Sequence, residues 1–201
     1  MKKFKVKKFN IYLAYTLIFC VLSLIVFSSF IINGKSFIWD SDGYKQHFII
    51  FEAFNKSIRN ILSGISTFSW NSGLGLDVIG QYSYYILGDP FAYIGLLFPM
   101  DSLEIAYIAL IIFRIYCIGL SFVAFSKHRK QHNLGTIVGA LMYTFCGFVL
   151  FASLRHPYFS NPLILLPLLL IGIDKILEKD KYKFFIFIVA ISCISSYYFC
   201  Y

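Results

Sequence analysis

Charge is scarce in this chain, and acid scarcest of all. Only 14% of its 201 residues are charged, and 10 acidic residues stand against 18 lysines and arginines. With 59% hydrophobic residues and a mean hydropathy of +0.73, there is too little polar surface for a soluble domain. The five cysteines, Cys20, Cys117, Cys146, Cys193 and Cys200, all lie within apolar runs, and none has metal-ligand spacing with a histidine. They read as small buried hydrophobes. Gly73 and Gly75 lack the lysine and the strand-to-helix context of a phosphate cradle, so they read as turn formers. The net charge of +8 raises a nucleic-acid partner, but no basic face carries interleaved aromatics, so none is expected.

What the chain does have is long apolar runs and rings. Aromatics make up 20% of it, with 23 Phe and 15 Tyr, as suits a membrane interface where a ring is half wet. The lysines and arginines gather at the ends of the apolar runs: Lys2 to Lys8, Lys127 to Lys130 and Lys175 to Lys183. By the positive-inside rule these ends are cytoplasmic. The reading is an all-α integral membrane protein, a multi-span helical bundle resting in the lipid bilayer of a cell membrane with its N-terminus cytoplasmic.

The basic N-terminus covers residues 1–10. The run 11–32 is too long for a signal-peptide core and long enough to span roughly 30 Å of hydrocarbon. An external segment follows over 33–101. Within it, 44–62 predicts an amphipathic helix in the headgroup plane, with Phe51, Phe54, Ile58 and Ile61 on one face and Lys45, Glu52, Lys56 and Arg59 on the other. Residues 86–100, broken by Gly88-Asp89-Pro90, are too short for an ordinary span and are expected to re-enter or lie on the surface as a short helix. Further spans are expected at 103–126, 136–152, 163–177 and 184–201. Pro167 should kink the third of these. The links between them are a cytoplasmic loop at 127–135, an external loop at 153–162 and a cytoplasmic loop at 178–183. The last run has no polar flank, which suggests an N-terminal piece of a larger protein. The alternative is a fifth span ending at the outer surface.

Chemistry concentrates in Trp39-Asp40-Ser41-Asp42-Gly43-Tyr44-Lys45-Gln46, just outside the first span. A carboxylate there can act as general base on an acceptor hydroxyl. Asp40 and Asp42 can also hold a divalent cation such as Mg or Mn against a phosphate. The plainer alternative is a helix cap, since Ser41 or Asp42 sits where an N-cap belongs. Arg114 lies mid-span, where a charge marks function or a partner. A lipid-linked phosphate, Asp174 or an acid outside this piece would each serve. Arg155 and His156 open the second external loop, where an arginine fork suits a departing phosphate. Trp70, Tyr82, Tyr84 and Tyr85 are candidate platforms for sugar rings, or simply interfacial aromatics. Asn55-Lys56-Ser57 matches a glycosylation sequon and is discounted.

The run from Gly34 to Phe48 resembles the start of the bacterial YfhO family of membrane proteins. So do Trp70 to Asp77, Tyr85, Asp89-Pro90-Phe91, Gly139 to Gly147 and Arg155-His156-Pro157 through Leu168. The resemblance implies an integral-membrane glycosyltransferase of the GT-C type. Such an enzyme takes sugar from a polyprenyl-phosphate carrier and transfers it to a cell-envelope polymer such as lipoteichoic acid. By resemblance, Asp42 is the first candidate for the catalytic carboxylate, in a D-x-x-x-Q arrangement with Gln46, and Asp40 is the second. Gln46, Trp70, Tyr82 and Tyr85 would meet sugar or acceptor, and Arg155, His156 and Arg114 the donor phosphate. A transporter of lipid-linked sugars and a non-catalytic scaffold are the other readings.

Overall fold

A computed structural model describes residues 10–63, 68–70, 74–77, 80, 82–83, 86–179 and 181–195. Helix dominates it. The first apolar run forms α1 (Ile11–Val26) and α2 (Ser28–Ile32), which abut at Phe27. Asn10 caps α1 by accepting the N–H groups of Tyr12 and Leu13 on its side-chain oxygen. Leu13, Leu17, Val21 and Leu24 are exposed at three- and four-residue spacing along α1. Such a stripe is a liability in water and an ordinary lipid-facing surface in a bilayer.

A π-helical turn, Gly43–His47, leads into α3 (Phe48–Leu62). Phe51 and Phe54 are buried, as periodicity predicts, while Lys45, Glu52 and Lys56 are exposed. Arg59 departs from the expected polar face. Its Nη2 donates to the carbonyls of Gly95, Leu96 and Phe98, closing the end of a 3-10 helix, Ala92–Leu97. Those carbonyls are the orphans that every helix end leaves, and an arginine stem is long enough to reach them. Asn55 of the sequon is fully buried and donates to the Phe51 carbonyl at 2.8 Å, so it is closed to glycan attachment. A two-residue antiparallel ladder pairs β1 (Phe68–Ser69) with β2 (Leu76–Asp77). Within 86–100 the described backbone is turns and the 3-10 helix rather than α-helix.

The hub is α4 (Leu103–His128), about 39 Å long at 1.5 Å per residue. It packs against α5 (Asn133–Thr144) and α7 (Asn161–Lys179), with α1 against α4 and α5, and α8 (Lys183–Ser195) against α7. The expected span 136–152 is not one helix. Between α5 and α6 (Gly147–Arg155), Phe145 and Cys146 leave helical geometry and the axis bends by 44°. Pro167 lies inside α7, where its ring removes the N–H that would pair with the Leu163 carbonyl. The Tyr143 hydroxyl donates to that same carbonyl at 2.9 Å, so α5 repairs what the proline breaks.

Among the described residues, two helices can cross a membrane by length and composition, Met100–His128 and Pro157–Glu178, and a third can if the bent pair counts as one. At the far end of α4, Asp174 pairs with Arg129 at 3.3 Å and with His128 at 3.4 Å. That pairing commits Asp174 about 22 Å along α4 from Arg114.

Candidate functional site

Arg114 finds its acid elsewhere. Asp89, from the Gly88-Asp89-Pro90 break, accepts a charge-assisted bond from Arg114 Nη2. Arg114 Nη1 also donates to the Pro157 carbonyl at 3.0 Å and to Asn161 Oδ1 at 3.2 Å. Asn161 Nδ2 returns a bond to Asp89 at 3.0 Å, and the Phe91 N–H reaches the same carboxylate. All three side chains are buried. The rings of Phe91 and Tyr158 lie 4.9 and 5.3 Å from the guanidinium. A buried charge needs this degree of satisfaction to be tolerated. The network fastens residues 89–91 to α4 and to the start of α7.

Next to it lies the acidic cluster. Gly43 permits the turn there, because a Cβ would sit 2.9 Å from the Trp39 Cβ. The N–H groups of Tyr44 and Lys45 then donate to the carbonyls of Trp39 and Ser41. Asp42 precedes the π-helical turn, yet its side chain makes no capping hydrogen bond. Asp40 is exposed and Asp42 half-buried, and neither joins an ion pair among the described residues. The capping alternative therefore does not account for the Asp42 carboxylate.

The turn docks on residues 155–159. His47 Nε2 and His156 Nδ1 share a hydrogen bond of 2.9 Å, one ring donating and the other accepting. The Arg155 guanidinium lies over the Trp39 ring at 4.8 Å and over Phe151 at 4.2 Å, and His156 meets Trp39 edge-on. His47 also packs on Tyr158. Segments more than a hundred residues apart are thereby joined, and the turn that carries Asp40 and Asp42 lies against Arg155 and His156 through Trp39 and His47. Stacking engages the faces of the Arg155 guanidinium, and among the described residues its N–H groups make no ion pair.

Gln46 is half-buried in the same turn. Trp70 is exposed and packs on Phe68 beside the ladder. Tyr82 is buried against Phe54, so its ring belongs to the core. Tyr84 and Tyr85 fall outside the described residues. No group of three or more His, Cys, Asp or Glu suited to a metal ion occurs among the described residues. Sequence reasoning missed three polar residues of these clusters: His47, Asp89 and Asn161. The available signal was chemical and was plain for Asp89 alone, a charge that interrupts an apolar run between Gly88 and Pro90.

Burial lowers the pKa of His47 from 6.5 to about 4, with His156 pushing the same way and Asp42 opposing. An opened His47 takes up its proton near pH 6.5, and the docked one only near pH 4. The docking contributes fully above pH 6.5 and weakens as pH falls from there toward 4. Hydrogen-exchange protection of residues 43–47 should fall across that window, and His47→Gln should flatten the profile. Equal profiles for both proteins would rule His47 out as the titrating group.

A model of the family described as bacterial membrane protein YfhO matches residues 13–201. Comparison with curated proteins and with solved structures returned no match.

Proposed function

The chain belongs to the YfhO family of bacterial membrane proteins, and from that premise we propose that it forms part of a GT-C-type glycosyltransferase. The enzyme would move a sugar from a polyprenyl-phosphate carrier to an envelope acceptor such as lipoteichoic acid on the outer face of the membrane. The observation that carries this reading is the docking of the Trp39–His47 segment on Arg155 and His156. The segment carries Asp42, which joins no ion pair among the described residues, and a carboxylate and a cation held on the two docked segments would suit attack by a hydroxyl and departure of a phosphate.

Asp42 takes the proton of the acceptor hydroxyl as its oxygen bonds to the anomeric carbon. The bond from that carbon to the carrier phosphate breaks, and its electron pair leaves with the phosphate oxygen. Arg155 stabilises the charge that develops there. A single displacement inverts the anomeric centre. His47 holds His156 in place, and Gln46 would orient the acceptor. Asp40 and Asp42 have no third protein ligand of the usual kind beside them among the described residues. A Mg or Mn ion held by them would draw its remaining oxygens from phosphate and water.

The test uses membranes carrying the full-length protein, a polyprenyl-phosphate donor with labelled sugar, and purified acceptor polymer. Label moving to the polymer with an inverted linkage is the expected result. Label that crosses the bilayer while still on its carrier would favour a transporter, a reading to which the charged pair at the Gly88-Asp89-Pro90 break lends some support.

A further inference from the structure

A groove of about 450 Å³ runs between α1–α2 and α4. Its walls are hydrocarbon: Phe19, Leu24, Phe27, Phe30, Ile108 and Ile112. Two polar side chains interrupt them. Ser23 lines the groove with a buried hydroxyl that has no hydrogen-bond partner among the described residues. Lys35 also lines it and makes no ion pair among the described residues.

Local backbone chemistry carries Lys35 there. Gly34 follows α2 with φ +56°, a conformation in which an L side chain is strained. The N–H groups of Gly34 and Lys35 close back on the carbonyls of Ile31 and Phe30 at 3.3 and 2.9 Å. This helix-ending motif reverses the chain and sets the residue after the glycine against the last turn.

We propose that the groove is a lipid site that takes one acyl chain of an anionic glycerophospholipid, with its phosphate on Lys35. The walls match an acyl chain, and the unpaired ammonium matches a phosphate in charge. The Ser23 hydroxyl offers a donor to a ligand carrying ester oxygens. In a membrane protein a hydrocarbon groove of this size fills with lipid, and the lysine selects which lipid. None of its residues belongs to the Asp42–Arg155 site, so the proposal stands whether or not that site transfers sugar.

The experiment measures lipid rather than sugar transfer. The full chain is reconstituted in vesicles of equal phosphatidylglycerol and phosphatidylcholine, extracted in mild detergent, and its retained lipid is measured by native mass spectrometry. Retention of about one phosphatidylglycerol per chain is expected. Lys35→Glu should lower the preference for phosphatidylglycerol about fivefold, the effect of one lysine near an anionic surface. Leu24→Trp, which fills the groove, should abolish retention. Leu17→Trp, on exposed α1 surface away from the groove, should not. Lys35 is itself exposed, so its variant remains informative if Leu24→Trp fails to fold. Equal retention of both lipids by the unaltered chain, or unchanged retention in both groove variants, would overturn the proposal. So would added polyprenyl phosphate displacing the phospholipid at equal concentration.

Discussion

Asp42→Asn in the full-length protein is expected to reduce sugar transfer by about 10²–10⁴-fold, the usual contribution of a positioned general base. The amide keeps the size of the side chain and cannot take the acceptor proton. Asp42 makes no capping hydrogen bond, so its loss should leave the π-helical turn folded. Donor binding should therefore change little while turnover collapses, and a transfer assay reporting KM and kcat separates the two. Asp40→Asn serves as the comparison, since Asp40 is exposed and two residues farther from the turn. If Asp42→Asn still restores sugar on the polymer in a deletion strain, the base lies elsewhere. An Asp40→Asn loss in its place would move the assignment to Asp40.

The second large effect belongs to stability. Arg114→Leu or Asp89→Leu alone leaves a buried charge without its partner, and each is expected to cost about 3–5 kcal/mol. For a domain of this size that is a drop of roughly 6–20 °C in thermal midpoint. Replacing Asp89, Arg114 and Asn161 together by apolar residues should cost less than either single change, because no buried charge is left unpaired. Thermal melts of the detergent-solubilised chain read this directly. Single changes that leave the midpoint unmoved would show that the pair does not hold residues 89–91 to α4. The triple variant also separates roles for Arg114. If it is stable but cannot bind the donor, Arg114 contacts phosphate as well as Asp89.

Membrane placement was legible in the sequence because transfer to hydrocarbon is nearly a sum over neighbouring residues. Apolar runs with basic ends therefore report it directly. The buried face of α3 was legible for a similar reason, since Phe51 and Phe54 recur at the helical period. The acidic cluster and Arg155-His156 were visible as chemistry, and the YfhO resemblance pointed at the same residues.

Pairings were what only the tertiary structure decided. Arg114 takes Asp89, 25 positions away, rather than Asp174, which α7 carries to the other end of α4 as the partner of Arg129. His47 meets His156 across 109 positions. Arg59 leaves the polar face that its period assigned because a helix end without partners lies within reach. Tyr143 reaches the carbonyl that Pro167 orphans. Periodicity reports what each residue prefers as surroundings. It carries no term for which distant group supplies them, and for the sparse polar groups of an apolar chain that choice is set by packing alone.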